Sequence, residues 1–154
     1  MPDDLYDRDI VIWSERQADA LRRVAASSRA NDVDWEHVIE EVEDLGRSEV
    51  NAAHSLADQI VVHLLKLRYW PDSPARNHWR AELVGFQTAL ARRYAPSMRQ
   101  RIDIEDSLRR AVRQLEHARD DDPTSIAPPA SCPFGVEALV ADDPSDLEAA
   151  FAAA

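Results

Sequence analysis

The sequence has few of the residues that would tie it to redox chemistry or to phosphate binding. Of its 154 residues only Cys132 is a cysteine, so no disulfide can form within the chain and a reducing compartment is expected. Only three residues are glycine, and none stands in a G-x-x-x-x-G-K or G-x-G-x-x-G loop. The sequence therefore excludes an internal disulfide framework and contains no nucleotide-binding loop of either type.

Long apolar runs are also missing. The longest one, residues 60–65, is interrupted by His63 and is far too short to cross a bilayer. The N-terminal segment MPDDLYDRDI is acidic and lacks the apolar core of an export signal. These features predict a cytoplasmic protein that is not a membrane protein.

Charge is abundant but unevenly distributed along the chain. The net charge is −11, with −8 on residues 1–49, zero on residues 50–67, +5 on residues 68–119 and −8 on residues 120–154. An acidic chain is a poor general binder of nucleic acids and of anionic membranes. The arginine-rich segment 76–113 is the one part for which nucleic-acid binding is kept as a hypothesis.

Helical periodicity accounts for most of the chain. Apolar residues recur at spacings of three and four, and glycine is rare. A first helix is predicted over residues 8–26, with Asp7 as its N-cap. Its expected core face consists of Ile10, Trp13, Ala20, Leu21 and Val24. A third helix opens at Ser73 and Pro74, and a fourth covers residues 97–119. The pattern predicts an all-α fold.

The second predicted helix is the longest. Asp34 is its natural N-cap, and Val33 and Val38 form a hydrophobic staple around it. Gly46 could end one helix and begin another, but the inward apolar stripe that includes Val38, Val42 and Leu45 continues past it without a change of phase. We therefore expect one helix over Trp35–Tyr69, about 50 Å long and free to kink at Gly46. Gly46 should face a partner helix at close range.

The expected architecture is a four-helix, bundle-like arrangement around this long helix. The first helix pairs with its N-terminal half, and the third and fourth helices pair with its C-terminal half. Residues 1–122 form the helical domain. Residues 123–154 form an irregular tail that packs on the same domain through Cys132, Phe134 and Leu139. The long helix leaves a flank uncovered, which predicts a homodimer through it.

A set of motifs in this sequence resembles one bacterial family. The motifs are DVDWEHVIEEVEDLGRSE at 32–49, Tyr6-Asp7-Arg8-Asp9 with Trp13, His63-Leu64-Leu65-Lys66 with Tyr69 and Pro71, Trp79-Arg80-Ala81, and Cys132-Pro133. In this order and spacing the chain resembles, over nearly its whole length, the family called domain of unknown function twenty-nine. It departs at Leu67, where the family often has tryptophan, and at Phe86, where the family often has a polar residue. The resemblance implies an all-helical bacterial domain and supplies no assigned activity or catalytic residue.

Acidic residues of the long helix are the first candidates for chemistry. Glu36, Glu40 and Glu43 fall opposite the apolar stripe, so a solvated face is expected, with a docking face for a basic partner as the alternative. His37 and Glu41 share a face at i and i+4, but two ligands do not make a metal site.

Glu49 and His63 lie on the apolar stripe itself. A buried acid is rare unless it is paired, so Glu49 is expected to pair with Arg80 or Arg101, with a catalytic carboxylate as the alternative. His63 is expected to be a hydrogen-bonded core residue. The candidate functional or structural polar core therefore consists of Glu41, Glu49, His63 and Arg80.

Metal and nucleophile motifs are absent from the sequence. There is no H-E-x-x-H, no Glu-x-x-His pair and no cluster of cysteine and histidine, so no metal and no cofactor is expected. A stacking platform for nucleic-acid bases near Trp79 and Arg80 is an alternative to core packing. We expect a non-enzymatic interaction or scaffold protein with a possible protein partner. The alternative is a metal-dependent or carboxylate-based hydrolase with a site near Glu49 and His63.

Overall fold

The structure is a computed structural model that describes residues 4–118 and 126–154, and within those residues it contains helices but no strand. The elements are α1 (Leu5–Arg8), α2 (Ile10–Ser27), α3 (Trp35–Tyr69), α4 (Arg76–Arg93), a 3₁₀-helix (Pro96–Gln100), α5 (Ile104–Glu116), α6 (Val136–Ala141) and α7 (Pro144–Ala153). The all-α fold class is confirmed. In the described part of the chain, no helix has the length and apolar character needed to cross a membrane.

The long helix is present with the predicted bounds. α3 runs unbroken over Trp35–Tyr69, which is about 50 Å at the usual rise per residue. At its start, the Asp34 carboxylate accepts the His37 N–H at 3.4 Å. At its end, the Trp70 N–H donates to the Lys66 carbonyl at 3.0 Å, and Pro71 follows. Gly46 therefore lies within a helix and does not divide it.

The chain forms two compact units. Unit 1 consists of Met1–Ala52 and Ala95–Arg101, and unit 2 consists of Ala53–Tyr94 and Ile102–Ala154. The boundary between them falls inside α3. Composition predicted a boundary between residues 122 and 123, which is a different place. The helices α6 and α7, which follow residue 123, belong to unit 2.

In unit 1, the first long helix begins later than predicted. Asp9, not Asp7, is the N-cap of α2, and its Oδ1 accepts the Ile12 N–H at 3.1 Å. The same carboxylate accepts the Ser97 N–H at 3.0 Å and the Ser97 hydroxyl at 2.8 Å. Burial raises the pKa of Asp9, but the hydrogen bonds from Ile12 and Ser97 together outweigh it and hold the pKa below its ordinary value. Asp9 thus caps α2 and also holds the start of the 3₁₀-helix.

The buried face of α2 also differs from the predicted one. Val11, Ser14 and Ala18 are buried, whereas Val24, which was expected on the core face, is 51% exposed. Small side chains allow two helix backbones to approach closely. The face that carries Ser14 and Ala18 is therefore the most deeply buried one, and Val24 lies outside it.

In unit 2, the second half of α3 supplies most of the core. Its buried side chains include Ile60, Val61, Leu64 and Leu65, each no more than 1% exposed. α4 buries Leu83, Gln87 and Leu90, and α5 buries Ser107, Leu108, Ala111 and Leu115. The prediction that the third and fourth helices pack on this half of α3 is confirmed.

Two helix starts in this part of the chain were predicted wrongly. Ser73 does not cap α4, because its hydroxyl accepts the Ala75 N–H at 3.2 Å in a turn, and the helix begins at Arg76. The predicted fourth helix is split into the 3₁₀-helix and α5. The N-cap of α5 is Asp103, whose carboxylate accepts the Asp106 N–H at 3.1 Å. The predicted end of that helix, at residue 119, lies outside the described residues.

The C-terminal tail is more regular than expected. It contains α6 and α7. Asp143 is the N-cap of α7, and Pro144 is the first residue of that helix. Leu139 and Phe151 are fully buried, which confirms Leu139 as an anchor. The Gln87 amide fixes the end of α6 by donating to the carbonyls of Leu139 at 3.0 Å and Asp142 at 3.2 Å. Residues 119–125, which include the three consecutive aspartates of the expected tail, lie outside the described residues.

Candidate functional site

α2 and α3 approach each other closely in unit 1 at Gly46. A Cβ atom built on Gly46 would lie 2.2 Å from the Ser14 Oγ and 3.3 Å from the Ser14 Cβ. The Ser14 hydroxyl is buried and donates to the Val11 carbonyl at 2.8 Å. The prediction that Gly46 faces a partner helix at close range is confirmed.

A cleft of about 420 Å³ lies beside this contact, still within unit 1. Its apolar lining residues include Val11 and Val50, and its charged lining residues are Glu15, Glu43, Arg47 and Arg101. Each of these four is paired, in Arg101–Glu15 at 2.6 Å, Arg22–Glu43 at 2.5 Å and Arg47–Asp44. Among the described residues that line the cleft, every charged side chain is therefore already paired.

The two arginines expected as partners of Glu49 have other carboxylates. Arg101 holds Glu15 through two hydrogen bonds, at 2.6 and 3.1 Å. Arg80 holds Glu148 through two hydrogen bonds, both at 2.8 Å. Glu49 itself is half-buried.

Glu148 on α7 is the centre of an ion-pair cluster in unit 2 that the sequence did not indicate. Arg76 donates to the same carboxylate at 2.6 Å and to the Leu67 carbonyl, at the end of α3, at 2.5 Å. The Arg80 hydrogen bonds hold the pKa of Glu148 below its ordinary value, against the effect of burial. The cluster joins α7 to α4 directly and to the end of α3 through Arg76, so the role of Arg80 here is to hold α7 in place.

His63 is buried, as predicted, and uses both ring nitrogens. Nδ1 lies 2.7 Å from the Gln59 carbonyl and Nε2 lies 2.8 Å from the Glu82 carboxylate. A carbonyl can only accept, so Nδ1 donates to Gln59, and Nε2 is bound to Glu82. Both ring nitrogens of His63 are therefore occupied by groups of the protein itself.

Glu82 links His63 to further polar and aromatic groups of unit 2. The hydrogen bond from His63 holds the pKa of Glu82 below its ordinary value, and His78 lies 3.4 Å from its other oxygen. Nearby, the Lys66 ammonium lies 5.8 Å from the centre of the Trp79 ring. The motifs at residues 63–66 and 79–81 are separate in sequence but meet between α3 and α4. Glu82 belongs to this polar group and was not predicted from the sequence.

A second buried network of unit 2 contains serine, aspartate and histidine but is not a catalytic triad. The Ser107 hydroxyl donates to Asp58 at 2.5 Å, and His54 Nε2 lies 3.6 Å from the same oxygen. In a triad the histidine stands between the serine and the carboxylate. Here Ser107 is fully buried and bound directly to Asp58, so the network ties α5 to α3.

The remaining reactive side chain is Cys132, which is half-buried. Burial raises the pKa of its thiol to about 11, so the thiol is protonated and unreactive near neutral pH. Its backbone N–H donates to Glu105 on α5 at 2.9 Å. Within residues 4–118 and 126–154, no three side chains of histidine, cysteine, aspartate or glutamate are placed to hold a metal ion.

Arginines of the segment 76–113 are largely occupied by carboxylates. Besides Arg76 and Arg80, the pairs are Arg109–Asp106 at 3.1 Å and Arg110–Asp106 at 2.7 Å. Arg68, next to Trp70, donates to backbone carbonyls of the C-terminal segment. These pairings leave less positive charge for a nucleic acid than the sequence suggests.

The N-terminal half of α3 carries an exposed apolar surface. Val38 is 41% exposed and Leu45 is 39% exposed, although both were predicted on the core stripe. Neighbouring residues of a helix differ by about 100°, so Leu45 lies a quarter turn away from the Gly46 side that packs on α2. Glu41 and Glu49 lie on the same side as Val38 and Leu45, and we call these four residues the outer flank.

The comparisons with known proteins agree with this architecture. A crystal structure at 1.45 Å of an alpha-helical protein of unknown function from Rhodospirillum rubrum ATCC 11170 is similar, with a TM-score of 0.82 and 33% sequence identity over 94% of this chain and 95% of that chain. No curated protein matches the chain. The family model described as Domain of unknown function DUF29 matches residues 5–143. The chain therefore belongs to the DUF29 family.

Proposed function

We propose that this protein is a non-enzymatic interaction protein that binds a partner through the outer flank of α3. The observation that carries the proposal is the exposure of Val38 and Leu45, at 41% and 39%, on one side of a long helix. The two residues are seven apart, which places them two turns apart at the spacing used in helix–helix seams. Burying such aliphatic side chains on association is favourable.

The state of the polar side chains supports a non-enzymatic role. His63 has both nitrogens engaged, and Glu148 is held by two arginines. The Cys132 thiol is protonated near neutral pH because burial raises its pKa to about 11. His63 and Glu148 each hold two helices together in unit 2.

The hydrolase alternative has no observation in its favour. Glu49 and His63 lie on the same continuous helix, where their separation in sequence corresponds to about 21 Å along the axis. One reacting centre could not contact both side chains.

Self-association through the outer flank is the form of the proposal that the sequence suggests first. Light scattering on the full chain should then give a mass of about twice 17.4 kDa at high micromolar concentration. Leu45→Gln should return the mass to that of one chain, and Val84→Gln, at a valine that is 47% exposed on α4, should not. A wild-type mass of one chain at that concentration would contradict self-association.

Site-specific photocrosslinking tests the interaction without assuming the partner. A photoreactive phenylalanine analogue at position 45 should form a discrete adduct in growing cells, and the same analogue at position 84 should not. Mass spectrometry of the adduct distinguishes a second copy from another protein. The absence of any adduct at position 45 would count against the outer flank as a binding surface.

We also propose that the interaction takes place in the cytoplasm. The unpaired Cys132 thiol is compatible with a reducing compartment. Cell fractionation should recover the protein with cytoplasmic markers, and recovery from an exported or membrane fraction would contradict the location.

A further inference from the structure

The helix α7 is attached to the rest of unit 2 through a small number of side chains. Of its ten residues, Leu147 and Phe151 are the buried ones, and their spacing of four places them on one side of the helix. Glu148, next to Leu147, is held by Arg76 and Arg80. A short helix with so few buried side chains is expected to open locally before the whole protein unfolds.

The surface that α7 covers is formed by α3 and α4 and is both basic and apolar. Its basic residues are Arg68, Arg76 and Arg80, and two buried leucines, Leu67 and Leu83, lie beside them. We call these five residues the α7 groove. Arg68 donates to the carbonyls at the C-terminal end of α7, where a cation is also favoured by the helix dipole. The groove therefore recognises a helix by its apolar side, by one carboxylate and by its C-terminal carbonyls.

The helix α7 does not fill the α7 groove completely. A cleft of about 260 Å³ remains where Pro144 and Ser145, in the first turn of α7, lie beside Leu67 and Leu83. Side chains that border a void lose contacts, so a contact with a gap of this size is weaker than a close-packed one. The five groove residues lie within residues 5–143, which match the family model, and α7 begins directly after them. The groove is thus part of the family domain, and its cover lies outside the matched residues.

We propose that α7 is a displaceable cover, and that the α7 groove binds an acidic amphipathic helix of another protein when α7 is displaced. The partner helix carries two apolar side chains four apart and a carboxylate directly after the first of them, as α7 does. When Glu148 leaves, Arg76 and Arg80 lose the carboxylate that they hold on α7, and a carboxylate of the partner replaces it. The helix α7 is therefore an autoinhibitory contact, because it competes with the partner for the groove.

This inference goes beyond the proposed function and concerns a different surface. The α7 groove belongs to unit 2, whereas the outer flank belongs to unit 1. The crosslinking experiment at position 45 tests the outer flank alone, and the experiments on α7 leave that flank unchanged. The two proposals can therefore fail independently.

Native-state hydrogen exchange on the full chain tests whether α7 opens by itself. After correction for intrinsic rates, the backbone amides of α7 should exchange at least about hundredfold faster than those of residues 60–65, in the buried half of α3. Mass spectrometry of peptic fragments resolves the two segments. Equal exchange rates would show that α7 opens only when unit 2 unfolds, and would overturn the proposal.

A fluorescent peptide with the sequence of residues 143–154 tests binding to the groove. In the wild-type chain the attached α7 competes at a high effective concentration, so the peptide should bind weakly. Phe151→Ala in the full chain weakens the cover, and fluorescence anisotropy should then show at least about tenfold tighter binding of the peptide. Glu148→Gln in the full chain is a milder change, and it should tighten peptide binding at least about threefold. Circular dichroism checks that each variant is folded, and Glu148→Gln decides the test if Phe151→Ala does not fold.

Two changes in the peptide separate binding in the groove from general attraction to arginines. Each change removes one negative charge. Glu148→Gln in the peptide should weaken its binding to the loosened chain about tenfold, because the pairs with Arg76 and Arg80 are lost. Asp146→Asn, at an exposed position of α7, is the matched control and should leave the affinity unchanged.

Three further outcomes would overturn the inference. If the peptide binds no folded variant more tightly than it binds the wild type, α7 does not cover a binding groove. If the two peptide changes weaken binding equally, the arginines do not select the carboxylate at position 148. A wild-type dimer that dissociates when the peptide is added would identify α7 of a second copy as the occupant, in place of another protein.

Discussion

Replacing Gly46 with alanine tests the close approach of α2 and α3 in unit 1. In an exposed helix interior, glycine to alanine raises the free energy of unfolding by up to about 1 kcal/mol. At Gly46 the new Cβ would lie 2.2 Å from the Ser14 Oγ and 3.3 Å from the Ser14 Cβ. Ser14 is 1% exposed and its hydroxyl is bound to the Val11 carbonyl, so the hydroxyl cannot move without losing that bond.

The expected effect is a net destabilisation. Overpacking a buried contact costs about 1–3 kcal/mol, and the lost Ser14 hydrogen bond adds about 1 kcal/mol. The better helix propensity of alanine offsets about 1 kcal/mol. Gly46→Ala should therefore lower the free energy of unfolding by about 1–3 kcal/mol.

Urea unfolding followed by circular dichroism measures this difference against a matched control. A Cβ on Gly85, in the interior of α4, meets nothing within 4 Å, so Gly85→Ala should stabilise by about 0.5–1 kcal/mol. Ser14→Ala combined with Gly46→Ala removes the Oγ atom from the clash. The double variant should recover at least about 1 kcal/mol relative to the sum of the single changes.

Two results would refute the reasoning. If Gly46→Ala were as stable as the wild type or more stable, the two helices would not approach as closely as the Gly46–Ser14 distances require. If the two changes simply added, Ser14 would not be the group that excludes the Cβ.

Three further predictions concern single side chains. Asp9→Ala should lower the free energy of unfolding by about 2 kcal/mol at neutral pH. Because the folded-state pKa of Asp9 is lowered, this difference should be present above about pH 4 and vanish as the pH falls through the folded-state value; urea titrations in which it persists in strong acid would contradict this. Glu148→Gln should lower the free energy of unfolding by about 1 kcal/mol, because it weakens two arginine pairs, and an unchanged thermal midpoint would show that the cluster does not stabilise α7. Cys132 should react with an aromatic disulfide reagent at about pH 8 at least about hundredfold more slowly than free cysteine, and at the free rate in denaturing urea; rapid labelling of the folded protein would contradict its burial.

The local sequence pattern was sufficient to predict the long helix α3 and the position of Gly46 within it. The bounds of α3 follow from the N-cap at Asp34 and the break at Trp70 and Pro71. The uninterrupted phase of the apolar stripe predicted that the helix would pass through Gly46. Both are properties of neighbouring residues, so the sequence carries them.

Competing local signals were resolved by contacts that are distant in sequence. Asp7 and Asp9 are equally good N-caps by type, and Asp9 caps α2 because it also binds Ser97. α7 was missed because a short, alanine-rich segment has a weak pattern of its own. It is held by burial of Phe151 and by the Glu148 cluster.

The four residues of the candidate polar core have different surroundings in the structure. His63 pairs with Glu82 and Arg80 with Glu148, while Glu41 and Glu49 lie on the outer flank. A stripe on a helical wheel tells which residues share a side of one helix, and it does not tell which helix covers that side. Val38 and Leu45 were therefore placed in the core, although they are exposed.

The sequence by itself determined the all-α class, the extent of α3 and the inward position of Gly46 and His63. Helical hydrogen bonds join residues four apart, so a helix and its phase are local properties of the chain. Only the tertiary structure decided that α2 would pack through Ser14 and Ala18, which carboxylates would meet His63 and Arg80, and that one side of α3 would stay exposed. Those outcomes depend on shape and charge complementarity between segments far apart in sequence, which no local pattern contains.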